Sequence, residues 1–138
     1  MNDEFEIRNL IAALAHQADG GAVADYVELF TADAVWQMPA SPVVGLAAST
    51  RTGRAEIEAG VNERRAAGVQ GPGSDTMHVI STVRIEVVDE DRARSHLYWQ
   101  FYGETAAGGE LRSMGRYDDE YRRTTNGWKL SRRVVTLG

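Results

Sequence analysis

The second half of the chain is a succession of four β-patterned runs whose connectors strongly limit how they can be arranged. "HVISTVRIEVV", "RARSHLYWQFYG", "ELRSMGRYDDEYRR" and "GWKLSRRVVTL" are separated only by "DED", "ETAAGG" and "TTNG". Connectors this short and of this composition join neighbours as hairpins, so an antiparallel meander is expected. The first half reads differently. After the helix-starting pair "ND", apolar residues fall at Ile7, Leu10, Ile11, Leu14 and Ala18, one stripe at helical spacing. "ADGG" (Ala18–Gly21) breaks the pattern, and a second short helix presents Val23, Tyr26, Val27 and Phe30 on one face. "TADA" reads as a turn and "VWQMP" (Val35–Pro39) as a short strand. The stretch from Ala40 to Thr52 is a hairpin or a mobile loop. Thr52 is the expected N-cap of a third helix, Arg54–Ala67, closed by Gly68. Helices first and an antiparallel sheet afterwards make an α+β layout in one domain spanning 1–138.

Charge and composition narrow the function. A net charge of −5 argues against nucleic-acid binding. The absence of cysteine removes thiolate nucleophiles, thiolate metal sites and disulfides. The acidic start "MNDEFEIRNL" has neither the basic nor the apolar segment of a signal peptide, and no run approaches a membrane span. A cytoplasmic protein without membrane contact is expected. No metal-ligand spacing and no phosphate loop occurs, since "GPGSD" precedes a strand, so no cofactor is expected. A bent sheet wrapped around short helices encloses a conical cavity. Phe30, Trp36, Met38, Leu97, Trp99 and Phe101 could line it, with Tyr98, Tyr102, Tyr117 and Tyr121 adding phenols. Such a lining suits a small, mostly apolar organic ligand.

A short helix with an Asp, a second helix ending in "LFTADAVW", "G-R-x-E-I", a His opening a long strand and "GRYDDEYRRTTNGWKLSRR" together resemble SnoaL-like domains. These belong to the nuclear-transport-factor-two-like superfamily, whose members include scytalone dehydratase, a bile-acid dehydratase, a dehydrochlorinase, ketosteroid isomerase and polyketide cyclases. The resemblance covers nearly the whole chain. It implies a cone of three N-terminal helices packed in a strongly curved, mixed and mainly antiparallel sheet around an apolar pocket. It further implies that His78 is a general base oriented by Asp19, and that Arg133 stabilises a departing or developing anion. Trp36, Met38, Tyr98, Trp99 and Tyr117 are the expected substrate contacts. Two positions depart from the pattern: the dehydrochlorinase's first-helix lysine is Leu14 here, and the tyrosine before the aspartate in scytalone dehydratase is Ala18.

The expected function is a cofactor-independent lyase or isomerase, of dehydratase or cyclase type, acting on a small hydrophobic hydroxy or carbonyl compound. The rival is a non-catalytic ligand-binding or assembly subunit, like the small subunit of ring-hydroxylating dioxygenases. A homodimer or higher homo-oligomer is expected in either case. One conflict stands: regular alternation places His78 with Arg84 and Glu86, opposite Val79, Val83, Ile85 and Val87. A bulge near Ser81–Thr82, a sheet covered on both sides, or both, would resolve it.

Overall fold

The structure, a computed structural model, describes residues 2–42 and 45–138. The element order is α1 (Asp3–Gly20), α2 (Val23–Val27), β1 (Phe30–Met38), β2 (Ser49–Thr52), α3 (Arg54–Ala66), β3 (Met77–Val87), β4 (Arg92–Gly103), a single 3-10 turn at Thr105–Ala107, β5 (Glu110–Thr124) and β6 (Gly127–Leu137). The strands form one sheet in the order β2-β1-β6-β5-β4-β3. Strands β3 to β6 are the meander read from the connectors, and among the described residues only the β1–β6 pairing is parallel. Three helices pack on one face of this open, mixed sheet, in agreement with the expected layout.

The N-terminal helix forms where its stripe places it. Asn2 caps it by accepting the Phe5 N–H at 3.2 Å. Ile7, Leu10, Ile11, Leu14 and Ala18 are buried against the sheet, and each large one contributes about 1.5–3 kcal/mol of burial. The helix runs one turn further than "ADGG" suggested. Gly20 is still helical, and the Gly21 N–H closes the end on the Gln17 carbonyl. Asp19 therefore lies in the last helical turn, not in a linker.

Three other expectations are corrected. The second helix ends at Val27, and "TADA" is the first half of β1, with Phe30 and Ala34 turned into the core. The parallel pairing to β6, irregular between Phe30 and Val35, extends the strand through residues that read locally as a turn. Gly53, at φ +83°, precedes α3 in place of Thr52, which is the last residue of β2. The Thr52 N–H instead donates to Glu56 Oε1 at 3.1 Å, one half of a capping box displaced by a residue. Between Ala40 and Thr52, the Ser41 and Leu46 backbones pair with each other and Ser49–Thr52 pairs with β1. The hairpin alternative is thus supported on both sides of Val43 and Val44, which lie outside the described residues.

The phase conflict on β3 is resolved by a bulge. The β3–β4 register shifts between Ser81 and Arg84, and Thr82 takes φ +54°, a left-handed conformation that bulges use. Before the bulge His78 and Ile80 face inward, and after it Val83 and Ile85 do. A second bulge acts on β6, where Glu120 pairs with Arg132 but Tyr121 with Leu130, leaving Ser131 extra. Trp128 and Leu130 point inward before it, Arg133 and Val135 after it. Each bulge thereby brings one chemically useful side chain onto the inner face.

Candidate active site

His78 and Asp19 meet. Asp19 Oδ1 lies 2.6 Å from His78 Nδ1, and its two oxygens also accept the His78 backbone N–H at 3.1 and 3.2 Å. A carboxylate at a helix C-terminus faces the negative end of the dipole, an unfavourable place that these bonds offset. Asp19 is not a cap for α2, whose N-cap Ala22 makes no side-chain bond. Because an ionised carboxylate only accepts, the Asp19 contact selects for the neutral ring the tautomer with its proton on Nδ1 and Nε2 free. The His78 ring packs on Phe101, its cross-strand partner, at 4.9 Å between centroids.

Both partners are held from outside. Arg65 on α3 donates to the Gln17 and Ala18 carbonyls at 3.0 and 3.3 Å, binding the open end of α1 beside Asp19. Ahead of β3, Asp75 at φ +57° accepts from Thr105 Oγ1 and the Ala106 N–H at 2.8 and 2.9 Å. That ties the segment entering His78 to the β4–β5 connection.

The base opens into a cavity of two adjoining lobes. Trp36, Arg64, Gln70, His78 and Tyr117 line both lobes and form the waist. Ile11, Leu14, Ala18, Tyr26 and Arg133 line much of one lobe. Met38, Leu46, Val69, Trp99, Phe101 and Val135 line much of the other. Trp99 stacks on Tyr117 with centroids 5.8 Å apart.

Arg133 is buried, at 5% exposure, and bound twice to Asp119 at 2.9 and 2.8 Å. Asp119 also accepts from the Tyr121 hydroxyl at 3.1 Å, which is 2.7 Å from Ser95 Oγ. Burial costs the Arg133 cation, but Asp119 outweighs that cost and holds its pKa above the ordinary value. Its guanidinium lies 3.8 Å over the Tyr117 ring, with donors left over for the lobe it lines. Tyr26 and Tyr117 are buried phenols whose pKa values burial raises, that of Tyr117 to about 12. Both are neutral hydrogen-bond donors near neutral pH.

Of the residues expected at the site, Asp19 pairs with His78, His78 and Arg133 line one lobe, and Trp36, Met38, Trp99 and Tyr117 line the cavity. Tyr98 does not. Alternation along β4 turns Leu97, Trp99 and Phe101 inward and leaves Tyr98 43% exposed on the outer face, under Arg116. His96, its neighbour in phase, pairs there with Asp118. His16 is exposed beside the mouth of the Asp19–His78 pair. Sequence reading did not single out Tyr26, Arg64 or Gln70. Tyr26 was legible only as one apolar position of a helix face, and "NERRA" only as the charged last turns of the third helix.

A family model described as a SnoaL-like domain matches residues 1–134. No curated protein matches the chain. Among solved structures, an NTF2-like protein with a cystatin-like fold from Novosphingobium aromaticivorans superposes with a TM-score of 0.79 at 24% identity, covering 98% of this chain and 81% of that one. The Kfla4162 protein from Kribbella flavida gives 0.75 at 26% identity, covering 99% and 90%. Aln2 from a Streptomyces species gives 0.79 at 18% identity, covering 97% and 89%. These likenesses show the NTF2-like cone fold. Among the described residues, no helix is long and apolar enough to cross a membrane.

Proposed function

Since this chain belongs to the SnoaL-like domain family, we propose that its cavity carries out cofactor-independent proton transfer at carbon, as a lyase or isomerase of dehydratase or cyclase type. The observation that carries this reading is the Asp19–His78 pair at 2.6 Å, with its imidazole lining both lobes of the cavity. The substrate is a small, largely apolar hydroxy or carbonyl compound, held between Trp36, Met38, Trp99 and Tyr117.

In the reaction, Nε2 of His78 removes a proton from carbon next to a carbonyl. The electron pair moves onto the carbonyl oxygen, and Asp19 stabilises the imidazolium that forms. Phenol donors of Tyr26 and Tyr117, with Arg133 behind Tyr117, supply the positive field that the enolate oxygen needs. In an elimination, the enolate expels a β-hydroxyl that takes the same proton from His78 and leaves as water. In an isomerisation, the proton returns to another carbon. In a cyclisation, the enolate carbon attacks an internal carbonyl, whose oxygen takes the proton back from His78 and becomes a hydroxyl. The protons balance in each case without an added reagent.

The test uses 2-tetralone, a small apolar ketone, in deuterated water. Exchange of its α-protons followed by NMR is expected to be accelerated by the protein and to be lost in His78→Gln and Asp19→Asn. An unchanged rate in His78→Gln overturns the mechanism. Met77, Val79, Tyr98 and Met114 leave apolar surface on the outer sheet face, which favours assembly and fits the homodimer expected from the sequence. A monomer by sedimentation at micromolar concentration counts against that association.

A further inference from the structure

Two adjacent arginines on α3 serve different neighbours. Arg65 holds the end of α1, whereas Arg64 turns toward the waist of the cavity and lies 4.6 Å over the Trp36 ring. Among the described residues, Arg64 has no carboxylate or carbonyl partner, and the two other arginines without one, Arg84 and Arg116, are exposed. Its sequence neighbour Glu63 is taken by Arg51 at 2.6 Å. Burial, the largest influence on Arg64, pushes its pKa below the ordinary guanidinium value, though arginine keeps its charge. Cation–π contact with Trp36 offsets part of the desolvation of this charge but leaves its in-plane donors unused. Trp99, on the less polar lobe, also has a buried indole N–H without an acceptor among the described residues. The lining of this region therefore carries, at Arg64, one positive charge without a counter-ion among the described residues.

We infer that the ligand of this cavity is an organic acid whose carboxylate is bound by Arg64, with its apolar body in the lobe lined by Met38, Trp99 and Phe101. The inference rests on the reading of the cavity as a substrate site and names the class of substrate. A planar carboxylate matches the two-pronged guanidinium and its single charge. A neutral carbonyl would leave that half-buried charge uncompensated. A phosphate dianion would need a second free cation, and Arg133 is already neutralised by Asp119.

The test compares phenylacetate with phenylacetamide and 2-naphthoate with 2-naphthamide, titrated against the full chain and followed by NMR. At neutral pH at least one acid is expected to bind about tenfold or more tightly than its amide. Arg64→Gln is expected to bring the paired affinities within about twofold, and Arg64→Lys to keep part of the difference. If neither pair shows a preference for the acid in the wild-type chain, or if the preference survives in Arg64→Gln, the inference is overturned. The wild-type comparison does not depend on any variant folding. His78→Gln separates the two readings, because it is expected to abolish proton exchange while keeping the preference for acids. Loss of the preference alone removes the carboxylate assignment; unchanged exchange in His78→Gln alone removes the acid–base reading.

Discussion

The Asp19 carboxylate grips His78 at two places, the ring Nδ1 and the backbone N–H, and so joins the last turn of α1 to the first residues of β3. The same contact positions a base and closes the helix layer on the sheet. Asp19→Asn keeps the size of the side chain but can present an N–H to Nδ1, favouring the wrong tautomer. Turnover is expected to fall by about 10²–10⁴, with a smaller loss of stability than in Asp19→Ala. Steady-state rates and urea unfolding of both variants check this.

Asp119 and Arg133 form a buried pair, and removing one partner strands the other. Asp119→Ala is expected to cost about 3–5 kcal/mol in urea unfolding. The double change Asp119→Leu with Arg133→Met is expected to recover most of that loss, because an apolar pair of similar volume needs no counter-charge. If Arg133 also stabilises the reaction's anion, the double variant folds but turns over slowly.

Alkaline pH is expected to destabilise the fold through its buried phenols. Burial raises the pKa of Tyr26 and Tyr121 above 10 and that of Tyr117 to about 12. Below pH 10 these groups are neutral in both folded and unfolded chains, and their full contribution is present. Between the unfolded value of 10 and the folded value of about 12, the unfolded chain ionises first, so stability falls as pH rises. For Tyr117 alone the slope approaches about 1.4 kcal/mol per pH unit. Tyr117→Phe is expected to flatten the decline in urea midpoint between pH 9 and pH 11, a range chosen roughly to bracket the ordinary phenol value.

Thr82 is β-branched and held at φ +54°. Thr82→Gly relieves that strain and is expected to change stability by no more than about 1 kcal/mol, leaving activity intact. Deleting Thr82 removes the extra residue, so that regular alternation alone keeps His78, Ile80, Val83 and Ile85 on the inner face. Cooperative unfolding and activity are expected to survive the deletion, whereas one residue inserted after Thr82 is expected to turn one of the two pairs outward and to abolish both.

The contrast between Thr82 and its neighbours shows where sequence reading stops. Local patterns determined the element types, because apolar spacing in α1 and alternation with hairpin connectors in β3 to β6 are short-range properties of the chain. Resemblance pointed to Asp19 and His78 as partners although 58 residues separate them. The phase of each strand was decided by the tertiary structure. One extra residue at Thr82 and another at Ser131 reverse which side chains face inward, and only pairing with a neighbouring strand reveals the extra residue. Thus "RR" at 132–133 could not say which arginine is buried, and "RR" at 64–65 could not say that one holds a helix end while the other faces the cavity. Tyr98 illustrates the same limit, since the strand face that lines the cavity depends on where the helices pack. Chemistry-bearing residues were legible as candidates; the side of the sheet on which each one works depends on long-range contacts that no local pattern encodes.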